Sequence, residues 1–253
     1  MKRLLLSLLL LPSLIWALVF DSDQISSLLP YVEEGTWVIF DVDQTLIESS
    51  VNLGSSQWRK AIHARAKETG MEDEEAQRVT KQFADFMHRF TPPRLVDPET
   101  PELIQQLQQS GVFVMGLTAR RPENAERTRE QLAACGISLR NRISENFVLL
   151  ATHPAIYQDG AIHAGPNSKS SVLLQFIKKT GELPRKVIFV DDRPNQIADL
   201  EQLLARWNID YVGIHYTAAA KQAAAPYDPA IADLQWRSLP AILSDERAST
   251  LSR

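Results

Sequence analysis

Trp37-Val38-Ile39-Phe40-Asp41-Val42-Asp43-Gln44-Thr45-Leu46 decides how the rest of the chain is read. Its first four residues are apolar or aromatic, the pattern of a strand buried on both faces. Two carboxylates, Asp41 and Asp43, then bracket a single valine, and Thr45 follows. Two like charges side by side are unfavourable in a folded interior unless a cation or a proton lies between them. A structural role gives little reason for such a spot. A site that needs a nucleophile, an acid and a metal gives a good one.

Working outward, four further apolar runs resemble the first: Val112 to Leu117, Phe147 to Leu150, Val187 to Val190 and Ile209 to Tyr216. Segments with helical spacing separate them. One runs through Leu103, Ile104 and Leu107 to Gly111, and another from Pro122 to Gly136. A third runs from a cap at Asn167 or Ser168 to about Thr180, and a fourth begins at Pro194. Tyr157 to Ala161 carries Asp159-Gly160, a hairpin-turn signal. Strands alternating with helices predict an α/β fold, a Rossmann-like parallel sheet with helices on both faces. Residues 48–97 differ in character. Trp58, Ile62, Ala66, Val79, Phe83, Phe86, Met87 and Phe90 fall at helical spacing, which predicts two helices split at Gly70 and ended by Pro92-Pro93. The core is therefore expected over 21–47 and 98–217, the helical insertion over 48–97, and a linker with a helical tail over 218–253.

The net charge of −4 across 253 residues argues against nucleic acid as an electrostatic partner. A lone cysteine, Cys135, excludes an internal disulfide and a cysteine-based zinc site. Residues 1–20 open with Met1-Lys2-Arg3 and continue as an almost wholly apolar run to Phe20. This is the pattern of a secretory signal, with cleavage expected after Ala17, or of an uncleaved membrane anchor; either predicts export from the cytosol. The membrane is a partner only through this segment, and the oligomeric state is left open.

Ligands of open parallel sheets bind beyond the carboxyl ends of the strands. Asp41, Thr118, Asp191 and Asp192 all end apolar runs. Lys169 falls on an apolar stripe with Val172, Leu173 and Phe176, so its ammonium points inward and needs anionic partners. Together these residues compose a phosphoryl-transfer site for a small phosphorylated substrate. Asp41 attacks phosphorus, and Asp43 protonates the leaving oxygen and then activates water. Mg²⁺ is held by Asp41, Asp191 and the backbone carbonyl of Asp43. Thr118 and Lys169 grip phosphoryl oxygens, as do the N–H groups of Val42 and Ala119. Arg120 touches phosphate or pairs with a carboxylate. Trp58, Arg59, Arg65, Arg89 and Arg94 of the insertion either face substrate or, the favoured reading, form a solvated helix face.

Asp-Val-Asp-Gln-Thr-Leu resembles the first motif of the haloacid dehalogenase-like superfamily. Val-Met-Gly-Leu-Thr-Ala-Arg resembles its second, Lys169 its third and Val-Ile-Phe-Val-Asp-Asp its fourth, in the family's order from Val38 to Ile214. The signal-like leader and the Asp159 hairpin resemble one branch of it, domain of unknown function 2608. The resemblance implies a Mg²⁺-dependent phosphatase working through an aspartyl phosphate, with residues 48–97 as a cap over the site. Gln44 stands where the family often has Gly or Asn, leaving the local turn open. Asp192 and Asn195 are the candidates for the supporting acid of the fourth motif. The alternatives are a phosphotransferase of the same fold and a binding or effector protein without turnover. A receiver domain is disfavoured, because it places its acid pair in the first strand and this chain places one late.

Overall fold

A computed structural model describes residues 16–221 and 227–239. Among these residues, ten strands, eight α-helices and two short 3-10 helices follow in chain order. β1 is Ala17–Ser22, β2 Thr36–Phe40 and β3 Ile47–Ser49. Helices α1, Ser56–Glu68, and α2, Asp73–Met87, come next, then β4, Pro93–Leu95. α3 is Thr100–Gln109, β5 Phe113–Thr118 and α4 Ala125–Ala134. β6, Phe147–Leu149, β7, Ala155–Gln158, and β8, Ala161–His163, precede α5, Lys169–Thr180. β9, Lys186–Asp191, α6, Pro194–Ala205, and β10, Asp210–Tyr216, complete the sheet. Two short helices follow, α7, Ala218–Lys221, and α8, Pro229–Arg237.

Eight strands form one sheet in the order β1-β10-β9-β2-β5-β8-β7-β6. All neighbours are parallel up to β8, and the β6-β7-β8 meander is antiparallel. The alternation of side chains along each strand splits the apolar runs between two cores. Val38, Phe40, Val114, Ile188 and Val190 pack on α3 and α4. Trp37, Ile39, Met115, Val187 and Phe189 pack on α5 and α6. A sheet covered on both faces explains why its strands read as unbroken apolar runs.

Chain order reverses at β2. From there the chain proceeds to β5 on one side, then returns to β9 on the other. A crevice forms at such a reversal, beyond the carboxyl ends of the strands. Two glycines let the layers close. Gly213 in β10 has no room for a Cβ, which would meet Ile197 of α6 and the Tyr211 hydroxyl. Gly160, at φ +87°, lies against the Leu139 carbonyl, and its own carbonyl accepts from the N–H of Gly116 at 2.9 Å.

Within the insertion, residues 48–97, α1 and α2 lie either side of Gly70. The short antiparallel pair β3-β4 that ties its two ends together was not legible. Ser55 caps α1 by accepting from the N–H of Trp58 at 3.1 Å. α8 packs on this unit: Ala232 is buried with Leu53, Trp58 and Met87, and Leu53 N–H donates to Gln235 Oε1 at 2.9 Å.

One boundary is corrected. Ala17 to Phe20, assigned to the leader, form edge strand β1, paired in parallel with β10. Trp16 N–H also donates to Asp210 Oδ1 at 3.0 Å. An apolar run rich in Leu, Val and Phe suits a strand as well as a leader, and only the partner strand decides. The remainder of the leader, residues 1–15, lies outside the described residues, as does the end of the tail from 240. Among the described residues no helix is long and apolar enough to cross a membrane.

Candidate active site

β9, β2 and β5 are adjacent, so their carboxyl ends share one rim. Asp41 follows the last residue of β2 and continues its ladder, its N–H donating to Val190 O at 2.9 Å. Asp191 ends β9 and Thr118 ends β5. Lys169 opens α5, whose N-terminus is capped by the Ser168 hydroxyl. Its apolar stripe of Val172, Leu173 and Phe176 is buried, which aims the ammonium at the rim. Lys169 Nζ lies 2.7 Å from Asp41 Oδ1 and 2.6 Å from Asp191 Oδ2, all three side chains being buried. Burial alone would lower the Lys169 pKa, but Asp41 and Asp191 together raise it. The expected anionic partners of this lysine are therefore in place.

Asp41, Asp191 and Asp192 each bring a carboxylate oxygen within 4.8 Å of the others. Burial pushes Asp41 up to about 7 against the pull of Lys169, and the charges of Asp191 and Asp192 add to the rise. Burial and Asp191 raise Asp192 in the same way. Asp192 Oδ1 is buried without a hydrogen-bond partner, whereas Asp191 accepts from Lys169 and from the N–H of Arg193 at 2.8 Å. One ammonium among three carboxylates leaves net negative charge in a low-dielectric place. An all-oxygen, partly unsatisfied donor set of this kind fits a hard divalent cation such as Mg²⁺.

Asp43 faces elsewhere. Its carboxylate accepts two N–H groups from Arg120, Nε to Oδ2 at 3.0 Å and a terminal nitrogen to Oδ1 at 2.8 Å. His88 Nδ1 stands 3.5 Å from the same Oδ1. Burial works to raise the Asp43 pKa, but the Arg120 guanidinium outweighs it and holds the carboxyl well below its usual range. Burial takes His88 down to about 4, so its ring is neutral at pH 7. Arg120 is itself fixed, donating to Gln131 Oε1 at 2.6 Å and Thr128 Oγ1 at 3.1 Å. Gln131 in turn donates to the carbonyls of His88 and Thr91, so this network ties α4 to the end of the insertion. The acid role set out for Asp43 thus meets a carboxylate already committed to a guanidinium, and its side chain stands outside the acidic cluster.

Thr118 is fully buried and its hydroxyl accepts from the N–H of Arg120 at 3.1 Å. Ala119 lines the cleft. Val42 is buried, its carbonyl accepting from Leu46 and Ile47 N–H at 3.0 Å in the tight turn after β2. Gln44 sits in that turn at φ +63°, the left-handed conformation that Gly and Asn adopt most readily, so the backbone is kept although the residue differs. Asn195 is exposed on the first turn of α6 and makes no side-chain hydrogen bond among the described residues; it is not drawn to the carboxylates. Sequence reasoning missed His163. It pairs with Thr118 across β8 and β5, is buried with Nδ1 unpartnered, and is lowered to about 3 by burial and by Arg120.

Between the insertion and the sheet rim lies an open cleft of about 760 Å³, bordered by Asp43, Arg59, Lys81, His88, Arg120 and Arg193. Arg59, read from sequence as solvated surface, is half-buried there and turned toward Asp43 and Asp41.

Comparison with known proteins gives the following. A Chlamydia pneumoniae protein named "Putative outer membrane protein" is 27% identical over 224 residues, covering 88% of this chain and 84% of that one. A Chlamydia trachomatis protein of the same name is 26% identical over 232 residues, covering 91% and 87%. Among solved structures, a haloacid dehalogenase-like family hydrolase from Streptococcus pneumoniae aligns with 15% identity and a TM-score of 0.43, over 70% of this chain and 93% of that one. Residues 21–249 match a family described as protein of unknown function, and the chain belongs to that family, DUF2608.

Proposed function

We propose that this protein is a phosphate-monoester hydrolase of the haloacid dehalogenase type, dependent on Mg²⁺ and exported from the cytosol. The observation that carries the reading is the buried Asp41–Lys169–Asp191 triad at the carboxyl ends of adjacent strands. Asp41 is the nucleophile. An oxygen of its carboxylate attacks phosphorus, the ester oxygen leaves, and water then cleaves the aspartyl phosphate to regenerate the carboxylate. Lys169 keeps Asp41 oriented and offers positive charge to the transferred group. Thr118 Oγ1 and the N–H groups of Val42 and Ala119 line the same rim as donors. Asp41, Asp191 and Asp192 would hold the metal, which supplies charge neutralisation for the phosphoryl oxygens.

Asp43 is an anion in this arrangement, but a carboxyl held this far below its usual range is a weak base, so Arg120 must also let go before Asp43 can take a proton from water. To protonate a leaving group it must first exchange Arg120 for a proton. This favours a resting state that substrate or cap movement has to release. It also lends weight to a second reading, a binding protein of the same fold without turnover. The name shared by the chlamydial relatives supports export.

The test is hydrolysis of a chromogenic aryl phosphate by the protein with and without Mg²⁺, beside Asp41→Asn. Turnover lost in the variant and on chelation supports the reading. Equal turnover by variant and parent removes Asp41 as nucleophile. No turnover of any ester in a broad panel, by folded protein with Mg²⁺, favours the binding protein.

A further inference from the structure

The cleft above the triad collects cations that the reaction at Asp41 does not use. Its border carries Arg59, Arg78, Lys81, Arg120 and Arg193 against Asp43, Glu74 and Asp85. Most pairings are internal. Asp43 belongs to Arg120, Asp85 to Arg121 at 3.2 Å, and Arg78 to Glu75 at 3.4 Å. Three cations remain, each from a different element, against one carboxylate, Glu74. Arg59 on α1 makes no side-chain hydrogen bond or ion pair among the described residues, and neither does Lys81 on α2. Arg193, in the loop before α6, reaches Asp192 only at 4.0 Å.

These three also act on one another. Burial lowers the Arg59 pKa, Asp43 opposes the fall most, Arg193 adds to it, and Asp192 and Asp41 oppose it further. Burial lowers Lys81, with Asp85 opposing and Arg193 adding to the fall, whereas the burial of Arg193 itself is outweighed by Asp41, Asp192 and Asp191, which raise it. Those carboxylates act at a distance: among the described residues none is hydrogen-bonded to Arg59 or Lys81, so their N–H donors on the cleft border are open to an anionic ligand. The reacting phosphoryl group already has Lys169, the rim donors and the metal site, so this second group of cations calls for a second anion.

We propose that the substrate is a phosphate monoester whose far end carries another anionic group, a carboxylate or a second phosphate, seated between Arg59, Lys81 and Arg193. The seat rests on the phosphohydrolase reading above. Because two of its members belong to the insertion and one to the sheet rim, such a ligand ties the two together across the cleft. A guanidinium pair gives planar two-point recognition of a carboxylate or phosphate, and the lysine adds a point charge.

The experiment compares two-anion esters, 3-phosphoglycerate and fructose 1,6-bisphosphate, with the single-anion esters glycerol 3-phosphate and p-nitrophenyl phosphate. The expected ratio of kcat/KM favours the two-anion esters by about tenfold or more, carried by KM, and shrinks as salt rises. Arg59→Gln and Lys81→Gln each lower that ratio, and Arg59→Lys restores part of it. Whichever two-anion ester leads identifies the second group as carboxylate or phosphate. Calorimetric binding of 3-phosphoglycerate and glycerol 3-phosphate to Asp41→Asn protein gives a readout independent of turnover, with the same preference expected.

Equal binding and equal kcat/KM for both classes would overturn the seat while leaving a working phosphatase. So would Arg59→Gln lowering all substrates by one factor, which would assign Arg59 to the reacting phosphate. Arg59-dependent preference in binding, with turnover of no ester, would keep the anion seat and overturn the phosphohydrolase reading instead.

Discussion

Removing Arg120 tests whether Asp43 is locked as the geometry implies. Arg120→Met deletes both N–H donors to Asp43 and the donor to Gln131 Oε1. The arginine side chain is 3% exposed and that of Asp43 19%, so the carboxylate is left charged in a largely desolvated place. Breaking one side of a buried pair costs about 3–5 kcal/mol. For a chain of this size that lowers Tm by about 6–20 °C. Asp43→Asn leaves the still more buried Arg120 without its counter-charge and costs about 3–5 kcal/mol as well, the lower end applying if the amide oxygen still accepts one N–H and Arg120 keeps Gln131 and Thr128. The double variant removes both charges, so its loss falls short of the sum by about 2 kcal/mol. Urea unfolding at pH 7 of the parent and three variants gives the coupling. An NMR titration of Asp43 in Arg120→Met adds a direct reading, since the carboxyl pKa rises toward its ordinary range. Additivity within about 0.5 kcal/mol, or an Asp43 that still titrates far below that range, would refute the lock.

Lys169→Met leaves Asp41 and Asp191 facing one another without the ammonium, and turnover of an aryl phosphate falls at least about 100-fold; a variant within threefold of the parent contradicts its place at the reacting group. The raised Asp41 pKa gives stability that is present below the unfolded value near 4 and is lost as pH rises through about 7. A divalent cation restores it, so Mg²⁺ raises Tm more at pH 8 than at pH 5. Taking the increment at each pH cancels the opposite effect of the buried neutral His88 and His163, and equal increments contradict the cation site. Gln44→Asn relieves the left-handed backbone and gains about 0.5–1 kcal/mol, or about 1–4 °C in Tm; a lower Tm counts against that account of the turn. Gly160→Ala drives a Cβ into the Leu139 carbonyl and costs about 2 kcal/mol or more in urea unfolding, and a cost near zero means the hairpin is free to move away.

The strands that build the rim were legible because each is a short apolar run ending in a polar residue. The helix pattern through Val172, Leu173 and Phe176 was enough to turn Lys169 inward. The β1 strand was misread because its leucine, valine and phenylalanine also suit an export signal. The β3-β4 stem is three residues on each side, too short for any periodicity, and its two strands lie on either side of both insertion helices. Asn195 was placed by the resemblance to the family's fourth motif, yet on the first turn of α6 it is exposed.

From the sequence alone came the set of charges that the sheet's carboxyl edge would carry, since burial of an apolar strand dictates where its polar end must emerge. Which partner each charge takes was settled only in three dimensions. Asp41 and Asp43 are two residues apart, yet one meets a lysine and the other an arginine 77 residues distant. Electrostatic pairing depends on separation through space and on how much water remains between the groups, and neither quantity is written in the order of residues.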